Sequence, residues 1–156
     1  MGYGRMYVCK TCGHRYFAGG GIGYLYPQVY RDLVKDIKDG KYGKEQAKVF
    51  KETPCAAVSA ENFVYICRNC NNWKVDKDPT VYKPKDNDEA LRSAKADMKA
   101  GYVLMLDEYT ACRRYYHRCD KCGGRMHKAT DSELERLACS KCEEINEAKA
   151  GIVMWD

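Results

Sequence analysis

The chain has 156 residues, a formal charge of +5 and ten cysteines. That length fits one ordinary domain or two small ones, and no run approaches the roughly 18 apolar residues of a membrane span. The first ten residues lack an apolar signal-peptide core, so the expected address is the cytoplasm, where paired cysteines serve as metal ligands rather than disulfides.

Residues 6–8 before Cys9 and 16–17 after His14 read as two short strands flanking the turn Cys9-Lys10-Thr11-Cys12. The string Gly19-Gly20-Gly21-Ile22-Gly23 lacks the P-loop lysine and the G-x-G-x-x-G spacing, so it is expected as a flexible turn. Pro27 suits a first helical turn. Val29, Tyr30, Leu33, Val34 and Ile37 then recur at helical spacing until Asp39-Gly40. A second helix is expected over 44–52, stopped by Pro54. Cys55 reads as a buried, inert thiol. Residues 63–66 form a β-rich run into Cys67-Arg68-Asn69-Cys70. Asn71 stands where positive φ is often needed, and Trp73 is expected to cover the sulfurs.

Residues 76–88 hold Pro79, Pro84 and alternating charges, and are expected as a linker. Residues 89–100 have helical propensity and a narrow stripe of Ala90, Leu91, Ala94 and Met98. Residues 102–106 suit a strand or a helix equally. Residues 107–116 read as helical, with Cys112 a packing residue. Cys119-Asp120-Lys121-Cys122-Gly123 follows, then a strand over 125–128 and a capping-box pattern at Thr130-Asp131-Ser132-Glu133. Cys139-Ser140-Lys141-Cys142 comes next, and residues 151–156 read as a closing strand.

Four C-x-x-C pairs have the ligands for two four-thiolate sites. Zinc takes four thiolates at the corners of a tetrahedron, about 2.3 Å from each sulfur. Two residues between cysteines let one tight turn aim both sulfurs at one point. Chain order assigns Cys9, Cys12, Cys67 and Cys70 to one ion. It assigns Cys119, Cys122, Cys139 and Cys142 to the other, because that quartet alone has the spacing of a self-contained zinc unit. An interleaved assignment is the alternative, and disulfides or free thiols the plainer one. A zinc ion held by four thiolates has a local charge of −2, so two ions reduce +5 to about +1, and the overall charge argues for no partner.

Both quartets resemble zinc ribbons with rubredoxin-type knuckles, the second most clearly, from Cys119 to Trp155. The whole chain looks like a small bacterial double zinc-ribbon protein, with residues 20–27, 65–70 and Met154-Trp155-Asp156 as markers. The resemblance implies two short antiparallel hairpins. The 54 residues between Cys12 and Cys67 are too many for a plain ribbon hairpin and read as a helical insertion in the first, a departure from the family pattern. The expected fold is therefore α+β, two zinc ribbons joined by helices. The expected domains are a ribbon with insertion over 1–75, a linker over 76–88, connecting helices over 89–117 and a C-terminal ribbon over 118–156.

Zinc ribbons serve many functions, so the likeness speaks for metal and not for activity. Arg113, Arg114, Arg118, Lys121, Arg125 and Lys128 lie among Tyr115, Tyr116, His117 and His127. Cations neutralise phosphates and tyrosines stack on bases, so nucleic-acid binding is expected. The plainer reading is that these cations balance the thiolates and the acids from Asp131 to Glu147. A protein adaptor is a second expectation, since thirteen tyrosines suit interfaces. A rubredoxin-like iron carrier is a third. No small-molecule substrate is expected, and no enzyme: cysteine closes both sites, and no histidine pair has metalloprotease spacing.

Overall fold

The computed structural model describes residues 2–22, 26–85, 109–145 and 152–155. The helix expected over 89–100 and the segment 102–106 lie outside them. The class is α+β and mostly antiparallel. The chain divides into two compact units: Met1–Gly23 with Asn62–Asp76 and Tyr116–Asp156, and Tyr24–Glu61 with Lys77–Tyr115.

In the first unit, β1 (Gly2–Val8) and β2 (Arg15–Gly21) form a hairpin in full register, from Gly2↔Gly21 to Val8↔Arg15. β7 (Ile152–Trp155) lies on the other side of β1, so the expected closing strand is present. β2 meets β3 (Ala57–Cys67) through Gly21↔Asn62, and β6 (Met126–Lys128) runs antiparallel to β3 from Tyr65↔Lys128 to Cys67↔Met126.

Gly19–Gly21 therefore belong to a strand, not to a flexible turn. The reason is close backbone approach: a Cβ on Gly20 would sit 2.9 Å from the Asn62 carbonyl oxygen and 3.0 Å from the Tyr3 hydroxyl. Glycine inside a strand often marks such a contact.

The second unit contains α1 (Tyr26–Lys38) and α2 (Lys44–Glu52), both where helical spacing places them. Leu33 and Ile37 are the buried residues of the α1 stripe. Gly40, at φ 83°, ends α1, with the Lys41 amide donating to the Asp36 carbonyl in a Schellman pattern.

Two expectations fail here. Residues 76–84 are not linker but most of β4 (Trp73–Pro84), with Val81 and Pro79 fully buried. Pro79 lacks an amide proton, yet its carbonyl accepts from the buried Gln46 side chain, and Asp78 accepts from the Thr80 amide. Local composition was overridden by these partners. Residues 109–113 are not helical but form β5 (Tyr109–Arg113) against β4. Tertiary pairing outweighs a weak helical pattern.

Candidate metal centres

All eight paired cysteines belong to the first unit, carried by one local structure used four times. In each, the amide of the first cysteine donates to a carbonyl five residues on: Cys9 N–H to the His14 carbonyl (2.9 Å), Cys67 to Asn72 (2.8 Å), Cys119 to Gly124 (2.8 Å) and Cys139 to Glu144 (2.8 Å). The residue after the second cysteine turns left-handed: Gly13 at φ 70°, Asn71 at 55°, Gly123 at 71° and Glu143 at 65°. Glycine and asparagine take that conformation most easily. Glu143 does not, yet it completes the same turn. An antiparallel pair flanks three of the knuckles: Val8↔Arg15, Arg118↔Arg125 and Ala138↔Ile145.

The knuckles combine in a nested order. Cys9, Cys12, Cys139 and Cys142 form the outer quartet, and Cys67, Cys70, Cys119 and Cys122 the inner one. The chain-order assignment is therefore corrected: the first pair closes on the last, and the second on the third. The reason is long-range pairing. Tyr7 and Tyr16, on the strands around the first knuckle, donate their hydroxyls to the carbonyls of Leu134 (2.5 Å) and Leu137 (2.8 Å), just before the fourth knuckle. β6 is bound to β3, which brings the third knuckle to the second. The Asn72 side-chain amide also reaches the Cys119 sulfur at 3.6 Å.

β3 separates the two cores by its alternation. Val64 and Ile66 pack with Tyr7, Tyr16, Leu137, Cys9 and Cys139, while Tyr65 and Cys67 pack with Cys119 and Met126. Successive side chains of a strand point to opposite faces, so one short run supplies both metal cores. Trp73 follows the inner knuckle but packs on the outer core, donating its indole N–H to the Ala138 carbonyl at 2.8 Å.

The sulfur geometry fits a tetrahedral ion. Four metal–sulfur bonds of about 2.3 Å imply sulfur–sulfur edges of about 3.8 Å. Observed separations are 3.5 Å for Cys9–Cys142, 3.8 Å for Cys12–Cys139, 3.4 Å for Cys67–Cys122 and 3.6 Å for Cys70–Cys119. All ligand atoms of a quartet lie within 4.8 Å of one another. A disulfide requires about 2.05 Å, and all ten thiols are free. Both quartets could hold metal ions.

Charge is distributed unevenly over the sulfurs. The first cysteine of each knuckle is buried, while Cys12 and Cys122 are exposed. Amide donation from Cys12 holds Cys9 down to about 6. Burial opposes a shift of the same kind at Cys119, but the amides of Cys122 and Lys121 bring it to about 6. The amide of Glu144 favours a Cys142 thiolate, but burial and the three neighbouring sulfurs push its thiol up to about 12. Cys70 is likewise pushed to about 12 against the Asn72 amide. Four thiolates repel one another, and a bound cation removes that penalty.

Each knuckle also carries an exposed cation: Lys10, Arg68, Lys121 and Lys141. Two cations per quartet match the −2 of a tetrathiolate ion. Lys121 of the inner site forms an ion pair with Glu143 of the outer site.

The six expected nucleic-acid residues divide between the units. Arg113 and Arg114 lie in the second; Arg118, Lys121, Arg125 and Lys128 lie in the first. All six are exposed. Arg118 donates to the Gly123 carbonyl at 3.4 Å, the Arg125 guanidinium lies 3.4 Å from the Tyr116 ring centre, and Lys128 Nζ lies 3.5 Å from that of Phe63.

The remaining cysteines and histidines lie outside both quartets. Cys55 is half-buried at φ 52° rather than buried, and Cys112 is exposed, its thiol donating to the Val81 carbonyl at 3.2 Å. His117 is buried, 3.5 Å from the Asp76 carboxylate and packed against the Tyr65 ring. His127 Nε2 is 2.8 Å from Glu133, whose carboxyl is held below its usual range by the Thr130 amide and then by His127. The capping box at Thr130 starts α3 (Asp131–Leu134) as expected. Comparison with family models, with curated proteins and with solved structures found no match to this chain.

Proposed function

We propose that the chain is a non-enzymatic zinc-binding module with two structural ions in ribbon-type cages, and that its metal unit binds nucleic acid. The observation that carries the metal reading is the pair of four-sulfur clusters with near-tetrahedral edges. A catalytic zinc keeps a position open for water, whereas four cysteines close each of these sites. The ions would tie three distant chain segments into one unit and neutralise the clustered thiolates. Exposed Arg118, Arg125 and Lys128 beside the inner site support the nucleic-acid reading. Lys121 contributes less, because Glu143 already balances it.

Elemental analysis of the purified chain should give two zinc ions, and chelation should abolish its folded circular dichroism. Iron, visible as colour, would replace zinc by an electron-carrier reading. Affinity for a mixed pool of DNA and RNA should fall as salt rises; no salt-sensitive affinity would end the nucleic-acid reading.

One observation favours a protein adaptor as the second reading. Met6 and Phe17 are cross-strand partners and both exposed, with Val8 and Val153 exposed nearby on β1 and β7. Exposed apolar groups on one sheet suit an interface. Recovery of a stoichiometric protein partner that is lost on Phe17→Glu substitution would support that reading.

A further inference from the structure

Resting on the nucleic-acid reading and sharpening it, we infer that the cation–aromatic face beside the inner quartet, built on Tyr116 and Arg125, binds single-stranded nucleic acid by stacking an unpaired base.

The face follows from strand alternation around the third knuckle. His117, Cys119 and Met126 are buried toward the inner quartet. Their neighbours Tyr116, Arg118 and Arg125 are exposed, and Arg118 and Arg125 are bridged as cross-strand partners. Arg125 covers one face of the Tyr116 ring at 3.4 Å, yet that residue remains 47% exposed. A flat aromatic surface with a guanidinium behind it is thereby held in solvent. Lys128, three residues on, falls by the same alternation on the Met126 side, where it stands over Phe63, and is not part of this face.

Cation–aromatic pairing at exposed sites contributes little to folding. It does hold two groups in the arrangement that recognises a base and its phosphate: the ring stacks and the cation pairs with the backbone. Stacking needs an unpaired base, because in a duplex both faces of each base are already covered by its neighbours. Duplex recognition needs instead a helix or ribbon seated in a groove, or a long row of free cations. Of the described cations beside the third knuckle, Lys121 is paired with Glu143, and Arg118 is partly held by the Gly123 carbonyl. With those two cations engaged, stacking on Tyr116 carries much of the affinity. The shared ligand chemistry is a single strand, RNA or DNA.

The test uses the full zinc-loaded chain and fluorescence anisotropy with labelled oligouridylate, oligothymidylate and a mixed-sequence duplex. Probes of about twelve nucleotides fall within the roughly 4–16 nucleotides such sites cover. Either single strand should bind at least about ten-fold tighter than the duplex, and the tighter of the two names the source. Tyr116→Ala should weaken single-strand binding by about 5- to 150-fold, and Tyr116→Phe should leave it intact. Arg125→Gln should weaken binding and lower the salt slope by about 0.7. Zinc content reports on folding; if the alanine variant loses its metal, Arg125→Gln carries the test. A duplex bound as tightly as the single strands, with Tyr116→Ala without effect, overturns this inference and leaves the nucleic-acid reading standing. Absence of binding to every probe overturns both.

Discussion

Nested pairing makes a prediction that chain-order pairing reverses. Replace Cys9, Cys12, Cys139 and Cys142 by serine, and the four inner sulfurs, with edges of 3.4 and 3.6 Å, are untouched. That variant should hold one ion per chain. Replace Cys9, Cys12, Cys67 and Cys70 instead, and each quartet keeps two sulfurs. A structural tetrathiolate zinc site provides about 10–16 kcal/mol. Half the ligands leave at best about half of that, so affinity drops by roughly four to six powers of ten. The crossed variant should therefore hold no ion in the presence of a nanomolar chelator. Native mass spectrometry reads the stoichiometry directly, and cobalt substitution gives an independent optical count. Serines at Cys67, Cys70, Cys119 and Cys122 form the reciprocal control, again with one ion expected. One ion in the crossed variant and none in the outer variant would refute nesting.

Other consequences follow from single residues. Gly123 sits at φ 71° with nothing near its missing Cβ, so Gly123→Ala should cost only the left-handed penalty, about 1–2 kcal/mol in urea unfolding. Gly20→Ala should cost more than that, because its Cβ would meet the Asn62 carbonyl oxygen at 2.9 Å. Tyr7→Phe leaves the buried Leu134 carbonyl without its donor and should destabilise by about 1–3 kcal/mol. Burial raises the Tyr7 phenol above 10.0, as it does for Tyr30 and Tyr82. Their contribution is intact below the unfolded value and is lost as pH rises through the folded one. Thermal stability should therefore fall on the alkaline side, and less steeply in Tyr7→Phe. Cys55→Ser and Cys112→Ser should both keep two ions, since neither sulfur belongs to a quartet.

Much of this protein was written in short-range patterns. Each C-x-x-C turn aims two sulfurs at one point whatever surrounds it, so the eight sulfurs of the two clusters are legible from spacing alone. The two helices of the second unit follow from apolar periodicity, and the Thr130 capping box from four adjacent residues. All of these depend on interactions within about five residues. Which knuckle meets which does not. Four bidentate turns can combine two by two in any of three ways, and their internal geometry is the same in each. Tyr7 reaching Leu134, and β6 lying along β3, select the nested one. Strand identity at 73–84 and 109–113 was settled the same way, by partners distant in sequence. Alternation along β3 then directs its side chains into two cores, which no local window of the sequence reveals because the second strand of each contact lies elsewhere in the chain.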